Sequence, residues 1–133
     1  MSVDLKTKAV ALLGSVDGVN LNGTPNAETT IYTVPTGFKC CLDHVRIRNI
    51  SANCTSATAA FGAAGGAANF LGTQTLSALN AAGTTGRLTP VPNATTPIGY
   101  EYAAGVVLVM KLIAAAGITC TATVEFFGTI DAA

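Results

Sequence analysis

Charge is scarce in this chain. Only 11% of its 133 residues are charged, seven of each sign, for a formal net charge of zero, where soluble domains average about 25%. That balance argues against nucleic acid as a partner, because such binding draws on clustered Lys and Arg that displace counterions. Arg46 and Arg48 share one strand face, but two charges on a neutral protein make a poor electrostatic footprint. A single copy carrying so little charge is prone to associate.

Histidine is almost absent. His44 stands alone, and the four cysteines, Cys40, Cys41, Cys54 and Cys120, contain no C-x-x-C spacing, so a four-ligand metal site is not expected. Neighbouring Cys40 and Cys41 point to opposite faces of a strand and cannot both meet partners on one side. The thiols read either as small buried hydrophobes or as one bridge, Cys54 with Cys120 or with Cys40. A nucleophile needs a base and an orienting group. The sole combination on offer is Cys40 or Cys41 with His44 and Asp43, and strand alternation separates Asp43 from His44 unless a bulge redirects one. The carboxylates never cluster, and Gly62 to Gly72 lacks the Gly-Lys-Ser/Thr ending of a phosphate loop. No enzyme, cofactor or metal is expected.

Long apolar runs are missing too. The longest, Ala103 to Gly117, is broken by Gly105 and Lys111 and falls short of the ~20 residues of a spanning helix. No transmembrane segment is expected, and the mean hydropathy of +0.49 reflects alanine and short β-like runs. The N-terminal Met1 to Gly14 places Asp4 in a would-be basic region before a short apolar stretch and has no clean cleavage site. Secretion by a signal peptide is therefore not expected. The sequons at Asn49, Asn53 and Asn93 matter only in a secretory pathway.

What is present is strand signal. At the end of the chain, Ile118, Cys120, Ala122, Val124, Phe126 and Ile130 alternate with polar residues, the mark of a half-buried antiparallel strand. Val106 to Ile113 is apolar at both parities, which predicts cover on both faces, by the core and by another subunit or a loop. Ala114 to Gly117 is expected to join these two strands as a hairpin. Between Phe38 and Ile50 the apolar phase switches from even (Phe38, Cys40, Leu42) to odd (Val45, Ile47). A bulge near Asp43-His44, or a corner between sheets, reconciles the two phases. Cys54 to Phe61 reads as a small-residue strand, Gly62 to Asn69 as a Gly/Ala-rich loop, and Phe70 to Leu79 as a short helix or strand. Asn80 to Pro97 is a surface excursion around a short strand at Arg87-Leu-Thr. Short strands, Gly/Pro-rich turns and no long amphipathic helix place the chain in the all-β class: one antiparallel β-sandwich, jelly-roll-like, over residues 1–133, with residues 1–20 as an extended N-terminal arm.

Thr30-Ile-Tyr-Thr-Val-Pro-Thr-Gly37, then Val45-Arg-Ile-Arg-Asn-Ile-Ser51, then Tyr102-Ala-Ala-Gly105 before a closing strand with Val124-Glu-Phe-Phe-Gly128 carry a resemblance. Residues 28–61 and 98–130 resemble the small β-sandwich modules of tailed-phage virions. Cys40-Cys41 and the insert at 62–69 depart from their pattern. The resemblance implies a non-enzymatic virion structural protein: a capsid decoration or cement protein, assembled in the host cytoplasm and located in the virion. It would form a homo-oligomer, expected as a trimer, on a major capsid or tail protein, with no membrane partner. Val107 and Val109 on the two-faced strand are the candidate contact, with Tyr32, Tyr100 and Tyr102 as edge or interface packing and Arg46 and Arg48 in salt bridges to Glu101 or Glu125. The other reading is a carbohydrate- or receptor-binding module of a tail or fibre, with the three tyrosines as a sugar platform.

Overall fold

The computed structural model describes residues 9–65, 69–90 and 101–133. Over these the chain runs β1 (Ala11–Asn20), β2 (Glu28–Thr33), β3 (Phe38–Arg48), β4 (Thr58–Ala63), β5 (Leu71–Thr75), β6 (Gly86–Leu88), β7 (Glu101–Tyr102), β8 (Val107–Ala114) and β9 (Thr121–Ala132). Phe70 to Leu79 therefore contributes a strand, and the expected short strand at Arg87 is β6. Among the described residues no helix is long and apolar enough to cross a membrane.

The strands form two antiparallel sheets. One is ordered β1-β9-β3-β6, with β7 also on β3, and the other β2-β8-β4-β5. The pairs β4 with β5, β3 with β6 and β7, β2 with β8, and β1 with β9 are nested. The chain is thus one long antiparallel ribbon, with its tip at the Gly/Ala-rich segment after β4, rolled until β9 also meets β3 and β8 also meets β4. This is the antiparallel β-sandwich expected. Rolling puts β8 and β9 in different sheets, so Ala114 to Gly117 is a crossover and not the expected hairpin. Its turn does use Gly117 at φ 83°. The crossover is held to the β1–β2 connection: Ala116 donates its N–H to the Leu21 carbonyl at 2.9 Å, and Gly117 to Asn22 Oδ1 at 2.9 Å.

Residues 11–20, expected within an extended arm, instead form β1 along β9. Residues 1–8 lie outside the described residues. Between β2 and β3, Gly37 at φ 85° completes the Pro-Thr-Gly turn, and Phe38 N–H donates to the Pro35 carbonyl at 3.1 Å.

The core lies between the sheets. Cys40, Leu42, Val45 and Ile47 of β3 and Ala122, Val124 and Phe126 of β9 face Ala59 and Phe61 of β4 and Leu108 and Met110 of β8. Phe61 and Phe126 meet edge to face across the layers, with ring centroids 6.1 Å apart at 70°, a geometry aromatic pairs favour. Of the two expected explanations of the phase switch in β3, the bulge is the one observed: the register against β9 shifts between Leu42 and His44. The bulge lets Leu42 and Val45 both point inward.

The two open sides of the sandwich differ. At β1 and β2 the sheets approach so closely that a Cβ on Gly14 would lie 2.4 Å from the Ile31 carbonyl oxygen. At β5 and β6 they stand apart around a cavity of about 220 Å³ whose lining includes Ile47, Leu76, Leu79, Thr85, Arg87 and Leu88.

Candidate interaction surface

The outward face of the β1-β9-β3-β6 sheet carries a connected group of charged side chains, Arg46, Arg48 and Glu125 beside Asp43, His44 and Arg87. Alternation turns Glu125 and Phe127 of β9 away from the core, and the register sets Glu125 beside Arg46 and Phe127 beside His44. Arg46 Nε donates to Glu125 Oε1 at 2.6 Å, and Arg48 Nε approaches the same oxygen at 3.2 Å. Glu125 is only 3% accessible, whereas the arginine side chains remain 42% and 45% exposed. A buried carboxylate is tolerated when charge and hydrogen bonds both compensate it; two guanidinium groups supply both and keep much of their own surface in water.

Burial alone would raise the Glu125 pKa. Hydrogen bonds from Arg46 and Arg48, and their positive charges, outweigh it and hold the carboxyl below its ordinary value near 4.5. A depressed pKa stabilises the fold above the ordinary value and loses that contribution as the pH falls through the folded one. The melting temperature should therefore drop between about pH 5 and pH 3 more steeply for the native chain than for Glu125→Gln. Parallel curves in a thermal melt series would contradict this.

Beside this cluster the His44 ring lies flat on Phe127, with centroids 4.6 Å apart and planes 7° from parallel, and the Arg46 guanidinium stands 5.2 Å from the same ring centre. The bulge turns Asp43 to the same side, so its Oδ2 reaches His44 Nδ1 at 2.8 Å and Arg87 at 3.8 Å. Asp43 and His44 thus do meet. Cys40, however, points into the core, fully buried, and the contacts described for His44 are to Asp43 and Phe127. Thr123 Oγ1 donates to Asp17 at 2.9 Å further along the face. At its β1 end Leu12, opposite Phe127, is 49% exposed, as is Val10 at 46%. The face offers fixed guanidinium groups, an aromatic stack and an apolar margin.

The expected salt bridges go to Glu125, while Glu101 takes Lys39 at 3.7 Å. Tyr102 is not on a surface platform. It is buried in the core, and its hydroxyl donates to Asn69 Oδ1 at 2.9 Å. Tyr32 is half-buried against the core beside Cys40, and burial raises its pKa. Tyr100 lies outside the described residues.

Val107 is half-buried, but Val109 is 2% exposed within a single chain. It projects from β8 away from the core, flanked in register by Thr30 of β2 and Gly62 of β4. Gly65, just beyond β4, donates its N–H to the Glu28 carboxylate of β2 at 3.1 Å, which carries the Gly/Ala-rich loop across the outward side of β8. Val109 is therefore already buried within the single chain and is no free contact residue. The loop's return requires Gly62, where a Cβ would fall 2.1 Å from Asn69 Oδ1.

Sequence reasoning did not single out Phe127 or Asn69. The Phe126-Phe127 pair, one ring on each face of a strand, was the available signal for the first. Asn69 sits in a segment whose sequence says only that it is a loop.

No protein-family model matches the chain, and no curated protein does. Among solved structures it is similar in fold to a chain of the "Cyanophage Pam1 capsid asymmetric unit", with a TM-score of 0.59 and 18% identity, covering 98% of this chain and 89% of that one. The match takes in nearly the whole of both chains, so its counterpart is itself a small polypeptide of comparable length.

Proposed function

We propose that this protein is a non-enzymatic structural component of a phage capsid, a decoration or cement protein that acts by binding the shell and further copies of itself. The observation that carries the reading is the end-to-end fold similarity to a small chain of a capsid asymmetric unit. The scarcity of charge and the exposed apolar margin of β1 support association. The chain works through buried area and repetition: a standard interface removes about 1,200–2,000 Å² from water, and many weak attachments multiply. Its homo-oligomer, a trimer in this reading, presents the outward face of the β1-β9-β3-β6 sheet, with Leu12, Arg46 and Arg48, to its neighbours. The carbohydrate-binding reading loses support, because Tyr102 is committed to the core.

Purified particles provide the test. Cosedimentation with capsids at a copy number that is a whole multiple of the shell symmetry is expected, and recovery only with tail fractions would overturn the reading. Leu12→Asp should keep the β-sheet circular dichroism spectrum and lower particle occupancy at least tenfold, because an exposed side chain tolerates the charge and a desolvated interface does not.

A further inference from the structure

We propose that Cys54 and Cys120 form an intramolecular disulfide when the folded chain meets an oxidising environment, stapling the β3–β4 connection to the end of the β8–β9 crossover. The inference does not depend on the capsid reading.

The two residues come from distant parts of the sequence, and neither is on a strand. Cys54 precedes β4 and Cys120 precedes β9. Both are fully buried, and Cys120 Sγ lies 3.6 Å from the carbonyl oxygen of Ala52, two residues before Cys54. The backbone around them is pinned. Ser51 N–H donates to the Thr121 carbonyl at 3.0 Å, Thr121 N–H returns to Ser51 Oγ at 2.9 Å, and Leu21 N–H donates to the Cys120 carbonyl at 2.9 Å. Cys54 N–H is held by the Leu79 carbonyl at 3.0 Å. Each thiol also has a carbonyl acceptor, Leu79 for Cys54 at 3.4 Å and Ala52 for Cys120 at 3.6 Å. These bonds hold the two cysteines in one buried region of the fold, the condition a bridge between them requires. Cys40 and Cys41 cannot both turn toward this pair, since adjacent strand positions face opposite ways, and a Cys40–Cys54 cross-link in the peptide map would count against the proposal.

Burial and the neighbouring Cys120 push the Cys54 thiol up to about 12, so in the closed fold it is protonated and slow to react. Exchange with a small disulfide such as oxidised glutathione then requires transient opening. One cysteine thiolate attacks a sulfur of the reagent, and a mixed disulfide forms as one glutathione thiolate leaves. The second cysteine thiolate attacks the protein sulfur and expels the other glutathione. Two protein thiols are oxidised, one reagent disulfide is reduced, and the two cysteine protons pass to the two departing thiolates. Once closed again, the bond is shielded from reductant by the same burial.

The full chain, purified with its thiols reduced, is incubated with oxidised glutathione or with dithiothreitol, then denatured, alkylated and digested with trypsin. Lys39, Arg46, Arg87 and Lys111 put the Cys40-Cys41 pair, Cys54 and Cys120 on three separate peptides. The expected result is a cross-linked Cys54–Cys120 peptide in the oxidised sample alone. The oxidised chain should melt on the order of 10 °C higher, because the bond closes a long loop in the unfolded chain. Recovery of Cys54 and Cys120 as alkylated thiols, or as separate glutathione adducts, would overturn the proposal. Cys120→Ala should lose both the cross-link and the oxidant-dependent shift in melting temperature. Since the mapping uses the native chain, it decides the matter even if that variant does not fold.

Discussion

Gly128→Val should lose about 4 kcal/mol of stability, or on the order of 10–15 °C in melting temperature, although valine is a better strand former than glycine. Gly128 lies on β9 between Ala11 of β1 and Leu42 of β3, in the middle of a three-strand pairing. A Cβ built there stands 2.3 Å from the Cys41 carbonyl oxygen and 3.0 Å from the Leu42 Cα. Both are backbone atoms of a strand already bulged at the next position, so no side-chain rotation relieves the clash. Strand propensity spans only ~1 kcal/mol, whereas forcing added methyl groups into a packed site typically costs 1–3 kcal/mol, and more when the backbone itself must yield. Steric exclusion therefore decides the sign. Gly128→Ala should show a smaller loss in the same direction in denaturant and thermal unfolding. A Gly128→Val chain as stable as the native one would mean that β3 and β9 are not held at this separation.

The phase switch between Leu42 and Val45 was legible in the sequence, but a bulge and a corner between sheets both account for it, and only the pairing of β3 with β9 selects the bulge beside Gly128. The alternation of β9 was equally legible, and so was the Pro-Thr-Gly turn. Which strands pair was not. Ala114 to Gly117 has the composition of a hairpin, yet a short turn serves a crossover between sheets as well. The difference is set by pairings of β1 with β9 and β2 with β8, which span almost the whole chain and leave no local trace. Arg46, Arg48 and Glu125 show the same division. Their outward direction follows from parity, and the pairing of Arg46 with Glu125 was among the expected outcomes, but its burial was not. Glu125 is covered because β9 is an inner strand, flanked by β1 and β3, a property of the whole sheet. Tyr102 misled for a related reason: tyrosines near prolines suggest an exposed edge, while β7 pairs with Cys40 and Cys41 and carries its ring into the core.

The two-faced strand β8 gives the sharpest instance and the second large effect. Apolar residues at both parities announce that both faces are covered, but a neighbouring subunit and a loop of the same chain leave an identical mark on the sequence. Were a neighbour the cover, Val109→Asp would dissociate an oligomer and leave each copy folded. With Val109 already 2% exposed in one chain, between Thr30 and Gly62 and under a loop anchored by Glu28 and Gly65, the same change buries a carboxylate inside the protomer. The loss of apolar burial and the desolvation of an unpaired charge together cost about 4 kcal/mol or more, a large share of the 5–15 kcal/mol that holds a domain of this size. Val109→Asp should abolish or severely destabilise the fold, read as loss of the β-sheet circular dichroism signal and of the cooperative melt. Val107→Asp, at a half-buried position on the same face, should stay folded with a melting temperature lowered by a few degrees. If Val109→Asp remains folded and merely loses native mass, the loop is not the cover of this face, and β8 is a subunit contact.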